Sequence, residues 1–247
     1  MTTEMHPKDI DVVVGAGSGI GSALVQRWCQ ARIRPILAVA RATSFERWRP
    51  PDGAVAHPCD YTEEALQFLA EQLMAEGSNV VRLVICNGVL QGDGYRPERA
   101  LSQINNAAMR RVFEVNTLLP MSVLSALSPV LKHSSAPRIA VLSARVGSIG
   151  DNRLGGWYSY RASKAALNMM LKCAALELKR LNRHAKLLAY HPGTVDTPLS
   201  KPFQGGVATG NLLSVDYAAE ALDRVLSETQ ADGELSYLDW RGEVIPW

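Results

Sequence analysis

Gly15-Ala16-Gly17-Ser18-Gly19-Ile20-Gly21 stands between the apolar run Ile10–Val14 and a segment of helical period, Gly19–Ala31. A short apolar run bounded in this way reads as a buried strand, and the glycines after it let the backbone turn tightly into the helix. A turn without side chains also admits a pyrophosphate, whose charge meets the free N–H groups and the positive end of the helix. Any tight strand-to-helix turn can use a glycine triplet. Its place after the first strand of a βαβ unit makes it a candidate dinucleotide-binding turn, with Gly15, Gly17, Ser18, Gly19, Ile20 and Gly21 as contacts.

Working outward, short apolar runs keep alternating with helical segments. Strands are expected at Ile10–Val14, Pro35–Ala40, Ala54–His57, Leu83–Cys86, Arg138–Ser143, Lys186–His191 and Leu235–Leu238. Between them, helices are expected at Gly19–Ala31, Glu63–Glu76, Leu101–Leu131 with a break near Pro120, Tyr158–Leu181 and Val215–Thr229. The alternation predicts an α/β fold over residues 1–247: a single-domain, Rossmann-type doubly wound parallel sheet of about seven strands with helices on both faces. Two stretches break the rhythm. Arg41–Gly53, with Pro50-Pro51, predicts a short or irregular helix, and Thr197–Asn211, with Pro198, Pro202 and three glycines, predicts a loop long enough to act as a lid.

The composition narrows the function classes. Of 247 residues, 47% are hydrophobic and 20% charged, and 26 basic against 24 acidic residues leave a net charge of only +2. No basic stripe speaks for nucleic acid. The N-terminal Met1–Ile10 is polar where a signal peptide needs an apolar core, and no apolar run approaches the ~18 residues of a membrane span, so a cytoplasmic, membrane-free protein is expected. Cys29, Cys59, Cys86 and Cys173 are far apart and lack metal-ligand spacing. Buried, reduced thiols and no metal are expected.

At the end of the second strand the chain reads Val39-Ala40-Arg41. A carboxylate here would hold a ribose 2′-hydroxyl, whereas an arginine suits a 2′-phosphate, so Arg41 predicts NADP(H) in preference to NAD(H). An ordinary surface arginine would look the same. Tyr160 and Lys164 lie at i and i+4 near the start of a helical run and project from one face. A lysine ammonium one turn from a phenol is expected to stabilise the phenolate and bring its pKa down toward working pH, making Tyr160 a general acid/base.

Taken with Asp60, Asn87-Gly88, Asn116 and Pro192-Gly193 in that order, these features resemble the short-chain dehydrogenase/reductase family over nearly the whole chain. Gly156–Asn168 and Gly147-Ser148-Ile149 are similar to its branch of C-factor-like and sniffer-like carbonyl reductases. The resemblance implies hydride transfer between NADP(H) and a carbonyl/alcohol pair, with Tyr160 as acid/base and Lys164 as its partner and ribose ligand. Asn116 would bend a helix and hold a relay water. Asp60 would contact the adenine or, on the residues alone, cap the next helix. Pro192, Gly193, Val195 and Thr197 match the nicotinamide loop, and the lid residues Leu199, Phe203 and Val207 suggest an apolar or aromatic carbonyl substrate. The resemblance also implies a homodimer or homotetramer, with Trp240–Trp247 buried against a partner or its own core.

Three positions depart from the pattern. Val14 replaces the usual threonine, and Cys86-Asn87-Gly88 keeps only one asparagine of the family's pair. At Ala144 the serine that holds the substrate oxygen is missing. Ser143, the nearest hydroxyl after the fifth strand, is the expected stand-in; Ser148 or an unaided Tyr160 are the alternatives. A rival reading follows, that of a dinucleotide-binding sensor or signalling protein with weak turnover.

Overall fold

The computed structural model describes residues 8–206, 208 and 210–247. In chain order, strands β1 (Lys8–Val14), β2 (Ile36–Ala40), β3 (Ala54–Pro58), β4 (Ser78–Ile85), β5 (Arg138–Leu142) and β6 (Lys186–His191) precede the short β7 (Thr194–Val195) and β8 (Leu212–Leu213), then β9 (Ser236–Asp239). Seven of them form one parallel sheet in the order β3-β2-β1-β4-β5-β6-β9. The order reverses between β1 and β4. That switch point opens a crevice beyond the carboxyl ends of the strands, where an open α/β sheet binds its ligands.

Alternation along the strands builds two cores. Val12 and Val14 point to one face, with Leu66, Leu69 and Leu73 of α3 (Glu63–Ala75), the apolar side of α5 (Leu119–His133), and Leu167 and Leu171 of α6 (Tyr158–Leu181). Val13 points to the other, with Leu24, Val25 and Trp28 of α1 (Gly19–Ala31) and Leu222, Val225 and Leu226 of α7 (Val215–Glu228). The remaining helices are small: α2 (Ala42–Phe45), the short helix expected there, and α4 (Asn106–Phe113).

The structure corrects several expectations. β4 begins five residues before the predicted Leu83, because its first half carries buried polar side chains that mask the apolar pattern. Asn79 Nδ2 donates to Asp9 at 2.6 Å, and Arg82 bridges Asp11 at 2.5 Å and Asp223 at 2.8 Å while stacking on Trp28. The break expected near Pro120 is a π turn over Glu114–Leu118 that separates α4 from α5 and ends two residues before the proline. The stretch Asn106–His133 is long and apolar enough for a membrane span, against the expectation that no such run exists, yet Val123, Leu127, Val130 and Leu131 are buried in the core. Cys29, Cys59 and Cys86 are buried, but Cys173 is exposed on α6. The C-terminal segment folds back on its own domain: Ile245 N donates to Tyr237 O at 2.9 Å, and Trp247 stacks on Tyr237.

Candidate active site

The turn after β1 has the conformation its glycines permit. Gly15 takes φ 78°, and a Cβ on Gly21 would lie 2.5 Å from Gly15 O, so neither position admits a side chain. A Cβ on Gly17 would meet Ser44 Cβ at 2.7 Å, and one on Gly19 would meet Thr197 Cγ2 at 2.8 Å. Ser18 caps α1 by accepting from Gly21 N at 3.1 Å. The first turn holds no acidic residue, and its other N–H groups have no intrahelical acceptor, which leaves an anion cradle. Facing it, Asn87 Oδ1 is buried without a hydrogen-bond partner.

A cavity of about 450 Å³ runs from this turn to the reacting end. Gly17, Ser18, Gly19 and Ile20 line one side, Asn87 and Gly88 the next, and Pro192, Gly193, Val195 and Thr197 a third. Tyr160 and Lys164 face the same space from α6, and Ser143 and Ala144 from the end of β5. A Cβ on Gly88 would stand 3.6 Å from Asn116 Oδ1 and 3.8 Å from Lys164 Nζ, so these groups converge. The buried Asn116 sits in the π turn. Its side chain accepts from Val89 N and donates to Val89 O, both at 2.8 Å, and donates to Ser163 Oγ at 3.2 Å. Its amide ties the segment after β4 to α6.

Arg41 and Asp60 lie beyond this cavity, after β2 and β3. Arg41 is exposed at the start of α2. Asp60 is not the cap of α3; Thr62 is, accepting from Ala65 N at 3.3 Å. Asp60 accepts from Thr62 N and Oγ1, both at 3.0 Å, and these bonds hold its carboxyl below the usual range.

At the reacting end burial outweighs the expected charge effect. The Tyr160 phenol is pushed above its ordinary value, by desolvation first and the neighbouring Tyr237 second, rather than lowered. Desolvation brings Lys164 down to about 7. Its ammonium donates to Leu142 O at 2.7 Å and stands 6.0 Å from the Tyr160 ring, so it is aimed at a carbonyl and not at the phenol oxygen.

Both predicted hydroxyls are engaged within the protein. Ser143 Oγ donates to Asn168 Oδ1 at 2.6 Å, which spends its only proton, and Tyr237 Oη donates to Ala144 O at 2.6 Å beside it. Ser148 Oγ accepts from Asp151 N at 3.0 Å, inside the loop before α6.

The stretch expected to be a lid is tethered at both ends by the pairing of β7 with β8, and Lys201–Gly206 form a 3-10 helix. Phe203 lies edge-on to Trp157 at 5.1 Å. Val207 lies outside the described residues, as does the segment before Lys8. Three cavity residues were not singled out as site residues from the sequence: Trp157; Arg145, bound to Asp151 and Asp239; and His191, which burial pushes down to about 4. The loop Leu90–Ala100 likewise hides Glu98, a buried carboxylate on the start of α6.

The short chain dehydrogenase family matches residues 10–206, and this chain belongs to that family of NAD(P)-dependent oxidoreductases. It is 32% identical over 203 residues to 1-hydroxy-2-glutathionyl-2-methyl-3-butene dehydrogenase of Rhodococcus sp. strain AD45, covering 78% of this chain and 81% of that protein. It is 32% identical over 148 residues to the C-signal protein of Myxococcus xanthus, 60% of this chain and 84% of that protein, in keeping with the C-factor-like branch. NADPH-bound carbonyl reductase from chicken fatty liver shares the fold, with a TM-score of 0.81 at 24% identity over 98% of this chain and 100% of that one.

Proposed function

We propose that this chain is an NADP(H)-dependent carbonyl reductase in which Tyr160 exchanges the proton. The observation that carries the reading is the single cavity that joins the glycine turn to Tyr160 and Lys164. The nicotinamide, when bound, supplies or accepts the hydride. The anion cradle of α1, the orphaned Asn87 Oδ1 and the loop from Pro192 to Thr197 suit such a cofactor, and the exposed Arg41 suits a 2′-phosphate. The chicken enzyme's NADPH is in line with this preference.

Burial keeps Tyr160 as the neutral phenol, the form that can donate to a carbonyl oxygen in reduction. Lys164, at about 7, changes charge near neutral pH and is suited to restore that proton through the neighbourhood that Asn116 organises. Tyr160→Phe should abolish NADPH-dependent reduction of ketones while leaving NADPH affinity nearly intact. A variant that keeps most of its kcat would sink the assignment.

A second reading, a dinucleotide-binding sensor with weak turnover, is favoured by Ala144 in the serine's place and by the similarity to C-signal. Steady-state NADPH oxidation with ketones, aldehydes and quinones separates the two. We also read residues 197–211 as a substrate lid and the protein as a cytoplasmic homodimer or homotetramer. The support for assembly is the exposed stripe Met169, Cys173 and Leu176, at i, i+4 and i+7 on one face of α6.

A further inference from the structure

Trp157 holds a backbone conformation that a tryptophan rarely adopts. Its φ is 51°, directly after Gly155 and Gly156 at 63° each, and a bulky residue in the left-handed region is strained. The surroundings hold it there. Trp157 N donates to Glu98 O at 2.5 Å, and the Glu98 carboxylate, 5% exposed, accepts from Ser159 N at 3.2 Å and from Ser159 Oγ. Arg161 Nε donates to Gly156 O at 3.0 Å and to Gly155 O at 3.1 Å. Removing Trp157 from this conformation would cost the helix cap; keeping it there puts an indole in the cavity wall.

The indole stands between the reacting group and the lid segment. Its ring is edge-on to Tyr160 at 6.2 Å and 78°, and edge-on to Phe203 at 5.1 Å and 64°. Leu90, Leu142, Ala144, Val146 and Leu199 complete an apolar surround. Among the described lining residues the charged side chains are Arg145 and Lys164. Arg145 is paired with both Asp151 and Asp239, and Lys164 stands at the reacting end, where it donates to Leu142 O. Among the described lining residues no unpaired arginine faces a substrate carboxylate or phosphate.

We propose that Trp157 is the substrate-recognising residue, and that the substrate is an uncharged carbonyl compound with an aromatic or conjugated ring beside the reacting carbon. The inference rests on the carbonyl reductase reading and adds the substrate class to it. With Ala144 offering no hydroxyl, orientation of the carbonyl falls to Tyr160 and to the ring contact. Aromatic pairs add about 0.5–1.5 kcal/mol beyond the area they bury, which sets the preference for a flat ring over a saturated one at up to about tenfold.

The test compares acetophenone, cyclohexyl methyl ketone and butanone on the full chain with NADPH, in wild type, Trp157→Phe and Trp157→Gly. Glycine accepts the left-handed conformation without strain, so Trp157→Gly removes the ring and not the fold. The wild type should prefer acetophenone to its cyclohexyl analogue by about tenfold in kcat/KM. Trp157→Phe should keep most of that preference, and Trp157→Gly should erase it, mainly through KM for acetophenone. Survival of the preference in Trp157→Gly, or an equal fall on all three ketones, overturns the proposal. Binding of acetophenone to the NADP⁺ complex, followed by saturation-transfer NMR, gives a readout without turnover. Ring-selective binding lost in Trp157→Gly, in a protein that turns over no ketone, would keep the recognition role and discard the reductase reading. Turnover and binding that are both blind to the ring would discard the recognition role and keep the reductase.

Discussion

Replacing Ser143 by alanine separates a catalytic hydroxyl from a structural one. Ser143 Oγ donates to Asn168 Oδ1 at 2.6 Å, and both residues are buried. The substitution leaves that acceptor without its donor, which costs about 1–3 kcal/mol. In a chain of this size each kcal/mol moves Tm by roughly 2–4 °C, so Tm should fall by about 2–12 °C. The kcat on a simple ketone should stay within about threefold, because the hydroxyl proton never faces the substrate. Ala144→Ser is the complement: it puts a donor on the cavity wall beside Tyr160. Removing an established oxyanion donor costs on the order of 10²–10³ in kcat, and a newly added one, positioned by no neighbour, should return about tenfold. Thermal melting and steady-state NADPH oxidation on the two variants give both numbers. A Ser143→Ala protein with an unchanged Tm and a kcat down tenfold or more would refute the reasoning and restore Ser143 as the donor.

Arg41→Asp should reverse the order of NADPH and NADH affinity in a direct titration, since a charge-assisted hydrogen bond of about 1.5–3 kcal/mol corresponds to roughly ten- to hundredfold; equal affinities in the wild type would remove the basis for the cofactor preference. His191 makes stability depend on acid. Burial, and then Arg145, push it down to about 4 in the folded chain, against about 6.5 when unfolded, so between those values the unfolded chain binds more protons. Stability should be full above about pH 6.5 and fall as the pH drops toward 4, by at most roughly 3 kcal/mol from this group. His191→Gln should flatten that part of the Tm profile, and an identical acid slope in the variant would exclude His191 as its source.

The parallel sheet, the glycine turn and the Tyr160/Lys164 pair were legible because each rests on local chemistry: strand periodicity, a turn only glycine allows, and two residues one helical turn apart. The first half of β4 was not. A strand whose Asn79 and Arg82 are buried looks polar until Asp9, Asp11 and Asp223 arrive from β1 and α7 to pair with them. The break expected near Pro120 was legible, but not its form, a π turn that lets Asn116 reach Val89 and Ser163.

By itself the sequence determined the fold class, the glycine turn after the first strand and the pairing of Tyr160 with Lys164 one helical turn apart, all properties of neighbouring residues. Only the tertiary structure decided how those groups are tuned. Burial, which depends on the whole domain, raises the Tyr160 phenol and drops Lys164 to about 7. The contact with Asn168, 25 positions along the chain, turns the Ser143 hydroxyl toward a side-chain acceptor, and Glu98, 61 positions before Ser159, fixes the start of the helix and with it the setting of Trp157. Partners that distant in the chain leave no periodicity or spacing to read, since they meet only when the sheet brings the strand ends together.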